Sequence, residues 1–264
     1  TAQRGKGTEF KKRTRAALAF AMQSIMPLLE LAGIPSERLL MQTSVYADEV
    51  YLPMEGACQD PVFNTWQLLY MRQFFMSKLN LDPWATGRVP GKKPILMLVS
   101  RSPSSRHTRN HADLVRQWNP AFISTLTDRL RSAFPECDVE LFADTNYTLM
   151  SSQANQIVKA AHADVLIGVH GAGLSNQIYQ RPNSAAVEIG PYINDGRILL
   201  GGGPFSRIAV VMSHDYMLHH PPFEKLKFRL KSRTADFDIS DFLTHLNSFL
   251  VSIDLIPYKR DRQL

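Results

Sequence analysis

An α/β fold built on a parallel sheet is predicted by three features of the chain. The runs Pro94–Val99 and Asp164–Val169 are short and almost continuously apolar, the pattern of strands buried on both faces. Long stretches with helical spacing lie between such runs, which implies βαβ units. A glycine-containing turn, Gly171-Ala172-Gly173, follows the second run after one residue, His170.

Taken in order, residues 8–34 form a helix that stops at Gly33-Ile34-Pro35, because glycine and proline both disfavour continuation. Alternating and β-branched positions predict short strands at Leu39–Thr43 and Glu49–Leu52. Phe63–Leu79 carries Leu68, Leu69, Phe75, Met76 and Leu79 at helical spacing. Asn80–Lys93, with Pro83, Gly87, Pro90 and Gly91, is a linker. Beyond it come the strand 94–99, a polar loop Ser100–Arg109 and a helical stretch ending near Phe134. A strand at Val139–Ala143, a helix at Ser151–His162 and the strand 164–169 follow. Strands at Ala185–Ile189 and Ile208–Met212 and a closing helix at Asp236–Ile253 complete the pattern. This divides the chain into a partial N-terminal α/β segment with linker, 1–93, and a Rossmann-like nucleotide-binding domain, 94–264.

At 264 residues and 44% hydrophobic, the chain suffices for one large domain or two modest ones. The net charge of +6 first suggests nucleic acid or an acidic membrane. Its distribution argues otherwise. Residues 1–15 hold six Lys/Arg against Glu9, and Lys259, Arg260 and Arg262 face only Asp261, so the ends carry +5 and +2 and the middle is near −1. Basic ends are commonly solvated tails, and no basic stripe interleaved with aromatics appears, so no nucleic-acid partner is expected. The two cysteines, Cys58 and Cys137, could pair in an oxidising lumen or stay as buried thiols. No Cys/His spacing resembles a zinc site. Ala16–Pro35 contains Gln23, Pro27 and Glu30, so it offers no eighteen-residue apolar span. The start lacks an initiator Met and a signal-peptide core, as expected of an excised chain.

The chemistry concentrates at Val169-His170-Gly171-Ala172-Gly173-Leu174-Ser175-Asn176, where a buried strand ends and a helix should begin. Ligands of open α/β sheets bind beyond the carboxyl ends of the strands. Gly171 and Gly173 permit a tight turn and close backbone approach, and amides at the helix start attract phosphate. His170 can donate to a phosphate or a sugar. The segment lacks the third glycine of a dinucleotide fingerprint, and Ser175 is not in a nucleophile-elbow frame. A tight turn with a structurally satisfied histidine is the plain alternative. After the first strand, Arg101, Arg106 and Arg109 leave the carboxyl edge on a small-residue loop, and their forks suit diphosphate oxygens. Arg109 fits an exposed basic loop better. Glu188, near the end of Ala185–Ile189, can accept ribose hydroxyls or be an ordinary strand-end carboxylate.

These residues resemble glycosyltransferase family 61: Met150–Ile157, then Ala163–Asn176, then Val187-Glu188-Ile189, with looser likeness at Leu31–Pro35 and Val50–Pro53. The family includes plant xylosyl- and arabinosyltransferases of xylan and animal transferases that add N-acetylglucosamine to proteins. Arg101, Arg106 and Asn110 match its pattern, whereas His111 stands where an acidic residue is usual, and Asn155-Gln156 where Glu is common. The resemblance implies a GT-B arrangement, an inverting reaction, and a Golgi or endoplasmic-reticulum lumen reached through a membrane anchor absent from this chain.

The resulting expectation is transfer from a UDP-sugar to a hydroxyl of a polysaccharide or glycoprotein. Arg101 and Arg106 offset charge on the departing diphosphate, with amides of Gly171, Ala172, Gly173 and Leu174; Arg106 and His170 act at the reacting centre. Asn176 lies in the same donor segment, and Glu188 holds the ribose. Asp48, Glu49 and Asp60 are candidates for the general base by location alone. No convincing D-x-D stands at a strand end, so no obligatory metal ion or other cofactor is expected. The rivals are another nucleotide-dependent Rossmann enzyme, disfavoured by the missing glycine, and a non-catalytic nucleotide- or glycan-binding relic.

Overall fold

The computed structural model describes residues 29–34, 65–85, 91–100, 118–143, 145–146, 149, 152–169, 171–190, 193–194, 197–198, 203–221, 227–229 and 234–259. The expected strands at 39–43 and 49–52, most of the helix 8–34, and Cys58 lie outside these residues. Residues 29–31 are helical and turn at Gly33, whose φ is +78°.

The described elements are α1 (Thr65–Lys78), β1 (Ile95–Ser100), α2 (Pro120–Ala133), β2 (Asp138–Ala143), α3 (Gln153–Ala161), β3 (Val165–Val169), a 3₁₀ helix (Ala172–Tyr179) and β4 (Ala185–Ile189). Then follow the short pair β5 (Ile193–Asn194) and β6 (Arg197–Ile198), α4 (Pro204–Met212), β7 (Asp215–His219), the pair β8 (Lys227–Arg229) and β9 (Thr234–Asp236), and α5 (Ile239–Ser252). Five strands form one sheet in the order β2-β1-β3-β4-β7, parallel at every pairing. This mixed α/β architecture with a parallel sheet is the Rossmann-like arrangement the apolar runs predict.

Strand alternation sends residues to two cores. Leu96, Leu98, Val165, Ile167, Val187 and Ile189 meet α2 and α5 through Phe122, Leu126, Leu130, Phe242, Leu246 and Leu250. Met97, Leu166 and Phe142 meet α3, the 3₁₀ helix, α4 and α1 on the other face. Helix α1, which precedes the linker in sequence, thus packs on the same layer through Leu68, Phe75 and Met76.

Local chemistry sets the helix ends. Asn119 caps α2 by accepting from the Ala121 amide at 3.0 Å, with Pro120 at the first helical position. Ser152 caps α3 from the Asn155 amide, and Asp238 caps α5 from the Ser240 and Asp241 amides. The expected strand at Ile208–Met212 is instead the end of helix α4. Pro204 opens that helix and Ser213, in the left-handed region at φ 57°, closes it. Phe205, Ile208, Ala209 and Met212 recur at helical spacing and are buried, while Val210 is 79% exposed. The edge strand follows at Asp215–His219.

Candidate functional site

The order β2-β1-β3 makes the chain reverse direction across the sheet between β1 and β3: the connection from β1 runs to one side, and the return from β2 passes to the other. At such a reversal the loops leaving the two central strands diverge and open a crevice beyond their carboxyl ends. The two segments singled out in the sequence leave these two strands. Residues 101–110 follow β1, and 170–176 follow β3 in register, with Val99 opposite Gly168. Arg101, Arg106, Arg109, Asn110, His111 and His170 themselves lie outside the described residues, as do Asp48, Glu49 and Asp60.

The described part of the turn is tightly built. A Cβ on Gly173 would stand 2.5 Å from Val99 Cγ1, and one on Gly168 would stand 3.0 Å from Val99 Cβ. Val99 is branched at Cβ and stiff, so it has no cheap way to retreat. Glycine at 173 is what lets the ends of β1 and β3 approach this closely, and a Cβ at 168 would fit only if Val99 gave way by a few tenths of an ångström. Gly171 has no such requirement. Its backbone is extended, at φ 163°, and a Cβ there would meet nothing nearer than 3.9 Å.

The expected helix is a 3₁₀ helix with Gly171 at its N-cap. Its tighter winding uses the Leu174 amide, which donates to the Gly171 carbonyl at 3.0 Å. Leu174 is buried to 1% and packs inward, so its contribution is to hold the turn down. Asn176 braces the same turn: its Nδ2 donates to the Gly173 carbonyl at 3.1 Å. Ala172 lies in the first turn of this helix.

Glu188 sits opposite Gly168 in β4 and is 5% exposed. Its Oε2 accepts a hydrogen bond from the Tyr216 hydroxyl of β7. The register explains the pair: Tyr216 is opposite Ala186, two residues before Glu188 and on the same face. Burial pushes the Tyr216 phenol well above its ordinary range, and the charge of and hydrogen bond to Glu188 push it further. Tyr216 therefore stays protonated and remains a donor to the carboxylate. Sequence reasoning missed Tyr216 because it placed the strand seven residues too early.

The opposite edge of the sheet is occupied by structural bonds. Asp164, at the amino end of β3, accepts from the Ile95 amide and from Arg181 Nη2, both at 2.8 Å. A D-x-D sequence does occur at Asp236-Phe237-Asp238, but Phe237 is buried and Asp238 caps α5.

Among the described residues no helix is long and apolar enough to cross a membrane. The profile of the family described as Glycosyltransferase 61 matches residues 17–187, which spans the described turn, Glu140 of β2 and most of β4. No curated protein matches the chain.

Proposed function

The chain belongs to the Glycosyltransferase 61 family and is a glycosyltransferase, and from that premise we propose that it moves a sugar from a UDP-sugar to a hydroxyl of a polysaccharide or glycoprotein acceptor, with inversion. The observation that carries the donor-site reading is the close approach of Val99 to Gly173 at the strand reversal. It joins the ends of β1 and β3, the two strands after which Arg101, Arg106 and Arg109, and His170, follow in sequence.

In this reading the UDP diphosphate lies across the reversal point. Amides of residues 171–173 and the forks of Arg101 and Arg106 meet its oxygens, and His170 contacts phosphate or sugar. Glu188, held by Tyr216, accepts from the ribose. Negative charge on the diphosphate grows as the glycosidic bond breaks, so Arg106 and His170 stabilise the transition state more than the ground state. The acceptor hydroxyl loses its proton to a base on the acceptor side, for which Asp48, Glu49 and Asp60 are the candidates. Arginine and amides carry the leaving-group charge, so the transfer needs no obligatory ion. Residues 94–264 form the donor half of a GT-B pair, with acceptor-side residues in 1–93. The full-length protein works in the Golgi or endoplasmic-reticulum lumen.

Arg106→Ala tests this reading. Loss of a charge-assisted bond at a partly dehydrated site contributes about 1.5–3 kcal/mol, so UDP affinity should fall roughly ten- to a hundredfold. Turnover should fall further, and Arg106→Lys should rescue only in part, because it keeps the charge but loses the fork. Arg109→Ala is the control and should change little. Calorimetry with UDP and donor turnover at fixed salt measure all three. Unchanged UDP affinity in Arg106→Ala would remove the diphosphate role. Binding of UDP without any turnover would favour the relic, which the departures at His111 and Asn155 keep open.

A further inference from the structure

On the face of the sheet opposite the 3₁₀ helix, the carboxyl end of edge strand β7 meets the first turns of α5. His219 is the last residue of β7, and alternation turns it with Met217 toward the core beneath α5. Its ring packs edge-on against Phe242 at 5.1 Å and lies 6.1 Å from Phe237. Asp241 and His245 stand one helical turn apart on α5, so both present to the same neighbour.

The three side chains converge. His219 Nδ1 is 3.1 Å from His245 Nδ1, His219 Nε2 is 4.0 Å from Asp241 Oδ2, and His245 Nδ1 is 3.9 Å from that oxygen. One possible ligand atom from each residue lies within 4.8 Å of the others. In a tetrahedral zinc site with bonds near 2.0–2.1 Å, ligand atoms stand about 3.3 Å apart. His219 Nδ1 and His245 Nδ1 already have that spacing, and Asp241 Oδ2, 3.9 Å from His245 Nδ1, has to turn closer to complete the set.

Burial is graded as an ion site requires. The His219 side chain is 1% exposed, Asp241 33% and His245 59%. An ion can enter from the His245 side and keep a water as its fourth ligand. The other nitrogen of the His219 ring, Nε2, is buried without a hydrogen-bond partner among the described residues and faces Asp241 Oδ2 at 4.0 Å.

We infer that His219, Asp241 and His245 form a binding site for a divalent transition metal ion of the zinc class, which ties the end of β7 to α5. Two imidazoles and one carboxylate select zinc, cobalt or nickel over magnesium and calcium, which favour all-oxygen shells. The site lies two strands from β3 and on the far face of the sheet, so it rests on none of the donor-site reading. An ion bound only by the folded chain raises its stability by mass action.

The test uses the full chain after removal of metal by chelator. Titration with Co²⁺ is followed by the visible bands of a tetrahedral nitrogen–oxygen site, and Zn²⁺ binding by calorimetry and thermal shift. The expected result is one saturable equivalent and a raised melting temperature with Zn²⁺, and no shift with Mg²⁺. His245→Ala and Asp241→Asn alter exposed or half-exposed side chains, so both should fold; each should weaken Zn²⁺ by more than about tenfold. Absence of a saturable equivalent in the parent would overturn the site and leave the rings joined by an ordinary N–H···N bond. Equal binding in the parent and both variants, or an equal shift with Mg²⁺, would overturn it as well.

Discussion

Single residues in this chain are constrained by what the sheet forces beside them. Gly173 is a glycine because Val99 occupies the volume where a Cβ would go, and Gly168 lies tight against the same side chain. Tyr216 holds Glu188 because register places them diagonally on one face. His214 is the residue at which pH should act on stability. Burial, and then the nearby Arg72 guanidinium, hold its pKa at about 4, below the ordinary 6.5 and against an opposing pull from the Arg181 and Gln180 backbone. The folded state therefore refuses a proton that the unfolded chain accepts. The stabilisation is complete above about pH 6.5 and is lost as pH falls toward 4, at no more than about 1.4 kcal/mol per pH unit for one group. His219 shifts in the same direction, so the difference between parent and His214→Gln isolates His214. Urea unfolding between pH 7 and 4.5, with chelator present, should give a shallower slope in the variant. Identical slopes would show that His214 titrates alike in both states.

Among elements, the least expected junction is the one around Arg72. This arginine of α1 is 1% exposed. Its Nε donates to the Pro83 carbonyl at 2.8 Å, and its Nη1 to the Ile178 carbonyl at 2.7 Å and to Met212 Sδ at 4.0 Å. Trp84 lies over the guanidinium, 5.9 Å from ring centroid to Cζ. One side chain thereby joins α1, the segment after it, the 3₁₀ helix and α4. Desolvation lowers its pKa only to about 10, with Asp82 opposing, so it remains charged. Arg72→Ala strands two buried carbonyls and opens a cavity, and should cost about 2–4 kcal/mol. Arg72→Met, which fills the space, should cost less. Denaturant midpoints of both variants measure this; a loss in Arg72→Ala within about 0.5 kcal/mol of zero would mean the junction is held by packing alone. Strands β1 and β3 were legible in the sequence because continuous apolar runs bounded by turns have few other meanings, and β2 and β4 followed from their place between the predicted helices and turns. Ile208–Met212 misled because a short run of that kind also fits one face of a helix, and only Pro204 and Ser213 at its ends decide the matter. The Arg72 junction and the His219–Asp241–His245 group were not legible, since each joins residues far apart in sequence through contacts that only the folded sheet creates.

For the molecule as a whole, sheet order does what composition could not. The net charge of +6 resides in the basic ends and points to no site, whereas the architecture directs attention to the reversal between β1 and β3. The places of the turn Gly171–Asn176 after β3 and of Glu188 near the end of β4 were readable from the sequence. The roles within the turn were less so. Amide use in a 3₁₀ helix differs from that in an α-helix, and Leu174 and Asn176 serve to hold the turn together. At the opposite edge Asp164 is engaged by the Ile95 amide and Arg181, and the proposed donor site lies at the carboxyl edge. Hydrogen exchange of the full chain with and without saturating UDP tests that assignment most directly. Amides in 100–110 and 169–176 should become protected by UDP and not by NAD. Protection confined to the amino edge around Asp164 and Arg181, or no protection anywhere at saturating UDP, would contradict a donor site at the strand reversal.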